Sequence, residues 1–417
     1  MAFPGQPAAR PRMNIVKRIM KANEDRDPQR LAMKYRALRD NPFSFLRGTC
    51  QLFYDRLAET GFDTAAPPVW CCGDLHLENF GSYKGDNRLV YFDINDFDEA
   101  ALAPATWELV RLAASLHVGL EALGLPAERA GALVEHLLDQ YTLALACGKP
   151  GWIERDTAHG TVRELLDQLR DRSRIDWLNG RTRVVRRRRR LLVDGRRTLA
   201  VSDAERAAVT ATVHAFAASQ PAPAFFHVLD VARRIAGTGS LGVARWVVLV
   251  EGHGSPDRNY LFDLKQAVPS SLAHLFPRLQ PRWHDDAHRI AGVQQRMQAV
   301  TAAFLHPVTH GGRPFVLRAL QPSEDRLPFD RFGTQAELCD GAIAMLGRCV
   351  AWAQLRSAGR QGSAIADELI AFAGKKKWRR RVAQAGAAAA RQVLADWNLF
   401  AAAYDAGQYR IANESET

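Results

Sequence analysis

A chain of 417 residues is long enough for one large domain or two modest ones. With 47% hydrophobic and 24% charged residues it can bury a sizeable core, which excludes wholesale disorder. Its 56 Lys and Arg against 45 Asp and Glu leave +11, a balance that favours anionic partners and says nothing about fold. No apolar run approaches the roughly 18 residues of a membrane span. Met1 to Arg12 hold Pro and Arg without an apolar signal core, so the expected location is the cytoplasm. The six cysteines, at 50, 71, 72, 147, 339 and 349, lack metal or redox spacing and read as reduced, mostly buried thiols.

In chain order, residues 1–28 are expected to form a flexible basic arm. Asp27 to Gly61 has helical periodicity, broken at Asn41-Pro42 because proline restricts the residue before it. Val69 to Cys72 and Arg88 to Ile94 read as strands joined by a polar loop, and Trp107 to Leu123 and Ala127 to Ala146 as long amphipathic helices. Residues 151–225 form an Arg-rich insertion, in which Val184 to Leu199 suggests a hairpin turning at Asp194-Gly195. Strands follow at Val228 to Ile235, Val243 to Glu251, Asn259 to Gln266 and Pro314 to Leu320, with a helix from Asp286 to about Leu305. From Gln335 onward the Ala-rich chain reads as helical. The expected fold class is α+β. Its regions are 29–150 with the first motif, 226–330 with the second, and a helical part over 331–417.

The first motif is Gly73-Asp74-Leu75-His76-Leu77-Glu78-Asn79-Phe80, followed by Phe92-Asp93-Ile94-Asn95-Asp96-Phe97-Asp98-Glu99. Each half follows a predicted strand, where loop side chains can converge on a ligand. An Asp, an Asn five residues on, and further Asp after a hairpin suit Mg-nucleotide chemistry. The first Asp takes the proton of an attacking hydroxyl, and the later groups give hard oxygens to Mg²⁺. The alternative is that these acids cap turns while His76 packs in a core.

This string resembles the catalytic and metal-binding loops of the protein-kinase-like superfamily, in particular its aminoglycoside and choline phosphotransferases. The resemblance implies Asp74 as catalytic base, Asn79 as a metal ligand, and either Asp93 or Asp96 as the second. Asp93 fits the loop length slightly better, while Asp96 has the Phe97 neighbour. His76 belongs to the same catalytic loop, with the role of buttressing it by hydrogen bonds. Cys72 stands where those enzymes usually have His.

The second motif, Gly237-Thr238-Gly239-Ser240-Leu241-Gly242, runs into a strand, not the helix a dinucleotide site needs. That context suits a glycine turn over nucleotide phosphates, with Gly237, Gly239, Ser240 and Gly242 binding and Lys265 on the next strand as the nucleotide lysine. No acidic partner for Lys265 can be identified, because the helix after Asp286 offers only Gln294, Gln295 and Gln298. Glycine turn and lysine follow the catalytic loop here, whereas ordinary kinases have them first. A bilobal kinase-like architecture with its motif order permuted reconciles the two. Together with Asn41 to Gly48 and Trp107 to Ser115, these segments also resemble the bacterial "domain of unknown function 2252" family.

The resulting expectation is an ATP- and Mg²⁺-dependent phosphotransferase acting on an unidentified hydroxyl of a small molecule or protein. Adenylyl transfer is the lesser variant, and a degenerate nucleotide-binding module the alternative. A third reading rests on Arg186 to Arg190, flanked by Arg181, Arg183, Arg196 and Arg197, as a nucleic-acid or anionic-surface patch. Lys375 to Arg381 is a second such patch. Arg47, Arg318, Glu108 and Arg111 are further candidates, the last two as supports for the metal loop.

Overall fold

The β-branched and aromatic runs of residues 198–320 pair into one antiparallel sheet in the computed structural model, which describes residues 13–62, 65–322, 325–327 and 336–410. Its strand order is His306–His310, Arg313–Leu320, Tyr260–Gln266, Arg245–Val250, Val228–Arg234 and Thr198–Leu199. Side chains alternate across the sheet. Trp246, Val248, Val250, Phe262 and Leu264 pack under the helix Asp203–Ala218 through Val209 and Val213. Val247, Leu249 and Leu261 face the opposite way and meet Trp177, Leu178 and Leu191 of the insertion.

A larger apolar core lies among the helices Ala105–Ala122, Ala127–Cys147, Ala336–Arg356 and Lys377–Asp405. Small residues let two of them approach closely. A Cβ at Gly386 would stand 2.5 Å from the Ala113 Cβ, well inside van der Waals contact. Two short sheets cap this helical part: Pro68–Cys71 with Ala101–Pro104, and Phe80–Lys84 with Val90–Ile94 and Ile153–Glu154. The architecture is therefore mixed α+β, as its periodicities indicate. Among the described residues no helix is long and apolar enough to cross a membrane. All six cysteines are free, and only Cys147 is exposed.

Several local expectations are corrected. The arm, read as leading into a helix, is described only from Met13, where the helix is Ile15–Lys21 with Ile15 and Ile19 buried. The insertion hairpin pairs Thr182–Val185 with Arg188–Leu191, so its turn is Arg186-Arg187, both at positive φ. Asp194 instead caps a separate loop, accepting from the backbone of Arg196, Arg197 and Thr198. The helix after Asp286 ends at Met297, because Gln298 turns extended and donates to the Ile94 carbonyl at 2.8 Å. The missed strand His306–His310 begins His-Pro and lies at the sheet edge, where a ladder tolerates proline.

Candidate functional site

The first motif builds the floor of a cleft. Gly73 has φ +88°, and a Cβ there would fall 1.8 Å from the Glu99 carbonyl oxygen. Glycine thus allows the two halves of the motif to touch. Arg111, fully buried on the helix Ala105–Ala122, donates Nε to Asp74 Oδ1 at 2.8 Å, and its Nη2 to the same oxygen and to the Leu46 carbonyl. Burial pushes the Asp74 carboxyl up to about 6 despite Arg111, with Glu99 and Asp96 adding to the rise. Asn79 ties the loop together, donating Nδ2 to the Asp74 carbonyl at 2.5 Å. His76 Nδ1 accepts from the Glu78 N–H at 3.1 Å. That bond assigns the ring proton to Nε2, which stands 3.9 Å from Asp74 Oδ2. Burial, together with Arg47, Arg111 and Arg326, holds the His76 pKa well below its usual value. A neutral, buried His76 is suited to buttressing the loop.

Glu108 and Arg111 are not a surface pair. Both are fully buried, and Glu108 accepts from the Cys72 N–H at 2.8 Å and from Gln354 at 3.1 Å. Arg47 pairs with Glu78 at 2.6 Å, and Arg326 with the same carboxylate at 2.9 Å.

Asp93 and Asp96, three positions apart, have different surroundings. Asp93 is buried behind the floor, where Oδ2 accepts from Arg356 at 2.6 Å and the Ala299 N–H at 3.2 Å. Its Oδ1 accepts from the Ile94 N–H at 2.9 Å, so both oxygens are committed to structure. Asp96 lines the cleft, and among the described residues its carboxylate accepts a hydrogen bond from the Asp98 N–H at 3.3 Å. Burial works to raise the Asp96 pKa, but Lys265, Arg318 and that N–H outweigh it and hold the pKa below normal. Of these two candidates, it is Asp96 and not Asp93 whose carboxylate faces the cavity.

The sheet forms the roof. Lys265 extends from Tyr260–Gln266 to an ion pair with Asp98. Its acidic partner therefore comes from the floor, while the helix Asp286–Met297 turns Gln294 to the cleft. The glycine turn joins Val228–Arg234 to Arg245–Val250, and its carbonyls are held from outside. Arg26 Nη1 donates to Gly239 and Leu241, both at 2.6 Å, Arg30 to Val243 at 3.0 Å, and Lys34 to Gly239 at 3.3 Å. This N-terminal clamp has no signal in sequence spacing, since its partners lie more than 200 positions apart.

Between roof and floor is a cavity of about 410 Å³, lined by Asp96, Asp98, Gly237, Ser240, Lys265 and the arginines of the sheet among others. A narrower space of about 60 Å³ adjoins it, sharing Asp96, Asp98, Gly237, Ser240 and Lys265 and adding Asp74, His76, Asn79 and Gly239. Of the candidates read from the two motifs, Asp93 and Gly242 line neither space, and the supporting Glu108 and Arg111 lie behind it. Asn79 and Asp96 offer the oxygen chemistry Mg²⁺ requires, and the phosphates of a nucleotide would complete the set.

The arginine run is only partly free. Arg189 is 1% exposed and pairs with Asp257 at 3.0 Å and Asn179 at 2.8 Å, pinning the hairpin to the sheet. Arg190 donates to the Leu229 carbonyl at 2.5 Å. In the second basic patch Trp378 is buried and Arg379 pairs with Asp139.

A family model described as "Uncharacterized protein conserved in bacteria (DUF2252)" matches residues 26–403. No curated protein and no solved structure matches the chain.

Proposed function

Because the chain belongs to the bacterial family DUF2252, whose description names no activity, we propose its function from the cleft: a kinase-like, ATP- and Mg²⁺-dependent phosphotransferase with permuted motif order, acting on a hydroxyl acceptor. One observation carries the reading. Lys265 and the glycine turn close over Asp74, Asn79 and Asp96 in one connected space, although the two sets are more than 130 residues apart in the chain. The parts also stand in the expected relation to one another. The turn joins two neighbouring strands, the lysine sits on the next, and a helix follows it.

In this reading Lys265 leaves Asp98 to hold the donor phosphates, and the turn covers them. Mg²⁺, when bound through Asn79 and Asp96, would neutralise phosphate charge. Asp74 accepts the proton of the acceptor hydroxyl as its oxygen bonds to the γ-phosphorus, and the β–γ bridging oxygen leaves with ADP. A pKa of about 6 leaves Asp74 mostly ionised at neutral pH and ready for that proton. Arg111 and His76 position it.

Calorimetry of ATP with and without Mg²⁺ tests the reading. Mg²⁺-dependent binding lost in both Lys265→Ala and Asp96→Asn is expected; binding unaffected by either variant overturns it. A degenerate nucleotide-binding module is the second reading, favoured by Gln294 standing where a kinase helix would offer an acid to the lysine. It predicts the same binding with no ATP turnover and no effect of Asp74→Asn.

A further inference from the structure

At the roof of the cleft three cations share one carboxylate. Asp263, 1% exposed, is gripped by Arg245 through Nε at 2.7 Å and Nη2 at 2.5 Å. That two-pronged pair is complete on its own. Arg318 stands 3.5 Å from the same carboxylate. Arg234 brings its buried Nη1 to 2.8 Å from the same carboxylate as a third cation, outside the alignment of a good hydrogen bond. Burial, followed by repulsion from Arg245 and Arg318, lowers the Arg234 pKa to about 10 against the pull of Asp263. A cation is thus held in an unfavourable place at the wall of a cavity.

Its position relative to Lys265 gives the place a use. Arg245 lies opposite Lys265 on the neighbouring strand, and Arg234 ends the strand on the other side of Arg245. Two strand spacings separate Arg234 from Lys265, about 10 Å along the roof. All of these residues line the cavity of about 410 Å³. Of the other acids there, Asp98 is drawn to Lys265, Asp325 to Arg172, and Asp96 feels Lys265 and Arg318 from across the cavity. An anion entering beside Arg234 would offset the positive charge that three arginines around one carboxylate leave over.

We infer that Arg234, backed by Arg245 and Arg318, is a second anion subsite of the cleft. It takes one end of an extended polyphosphate whose other end lies at Lys265. The inference rests on the reading of Lys265 as the phosphate-holding lysine. The shared chemistry is a chain of phosphates, which a nucleoside triphosphate or free inorganic polyphosphate could supply.

Calorimetric titration of the full chain with inorganic tripolyphosphate and with ATP, each with and without Mg²⁺, tests it. Wild type is expected to bind tripolyphosphate without Mg²⁺. Arg234→Gln should weaken that binding tenfold or more, while Arg234→Lys stays within threefold; Arg234→Met replaces the glutamine variant if that does not fold. An equal loss for ATP identifies the nucleotide as the source, and a loss confined to tripolyphosphate identifies the free polyphosphate. Binding of both probes within twofold of wild type in the neutral variants overturns the subsite, as does a wild type that binds neither. If Lys265→Ala still abolishes Mg²⁺-dependent ATP binding in the first case, the subsite falls and the phosphotransferase reading stands. If the neutral Arg234 variants lose binding while Lys265→Ala has no effect, the subsite stands and that reading falls.

Discussion

The floor and the roof of the cleft treat charge in opposite ways. On the floor, acids are sorted individually: Asp74 is held by Arg111, Asp93 is consumed by Arg356, and Asp96 is left at the surface of the cavity. On the roof, cations are crowded around one acid, Asp263, and Lys265 reaches across to Asp98. A floor built this way can stay folded while one carboxylate changes partners. The roof carries three arginines around a single carboxylate, an excess of positive charge.

The largest expected effects break the catalytic contrast. Asp74→Asn should lower turnover by about 10²–10⁴-fold while ATP affinity stays within threefold, since a general base contributes to the chemical step and not to donor binding. Steady-state kinetics beside calorimetry checks this; unchanged turnover would remove Asp74 from the chemistry.

Asp93 and Asp96 sharpen the contrast within the floor. Asp93→Asn removes the counter-charge of Arg356, which keeps the Met297 and Gly151 carbonyls, so stability should fall by about 3–5 kcal/mol. Mg²⁺-dependent ATP binding by the fraction that still folds should stay within twofold. Asp96→Asn should do the reverse, losing at least tenfold in binding with little change in urea midpoint. Equal effects of the two substitutions would erase the distinction.

A smaller effect concerns pH. The folded pKa of Asp74, about 6, lies above its ordinary value, so the folded state holds the Asp74 proton more tightly. Its contribution to stability is therefore present at low pH and fades as pH rises through about 6. Activity, which needs the ionised base, should rise through the same window. Asp74→Asn should flatten the stability profile between about pH 4 and 6; an unchanged profile would mean the shift belongs to another group.

The smallest effect lies outside the cleft. Arg186 and Arg187 occupy left-handed backbone that costs a non-glycine residue roughly 1 kcal/mol. Arg187→Gly should therefore raise the melting temperature slightly without altering the cleft, and a fall would show that the arginine side chain anchors the turn.

Much of this contrast was legible in the residues. β-branched and aromatic runs located the four long strands of the sheet, and the clustered acids after Val69 to Cys72 and Arg88 to Ile94 located the floor. The Lys265 partner was not legible, because Asp98 and Lys265 lie 167 positions apart and meet only through folding. Loop length could not separate Asp93 from Asp96, since what divides them is Arg356, on a helix 263 positions beyond Asp93. The arginine run misled for a different reason. Composition counts charges but cannot tell that alternation in a strand buries Arg189 while exposing its neighbours. Arg234 had a usable signal: it and Arg245 flank the glycine turn symmetrically, on adjacent strands.

The close approach of Gly386 to Ala113 also bears on the order in which the protein is made. Arg111, which holds Asp74, sits on a helix whose far side is covered by residues 377–405. The ribosome thus delivers every residue of the floor motif well before the helix that seals its support. Contacts of such long sequence separation close slowly. A nascent chain halted before Lys377 should expose the Ala113 face to chaperones and proteases, and limited proteolysis of such a truncation would register it as lost protection of residues 105–122.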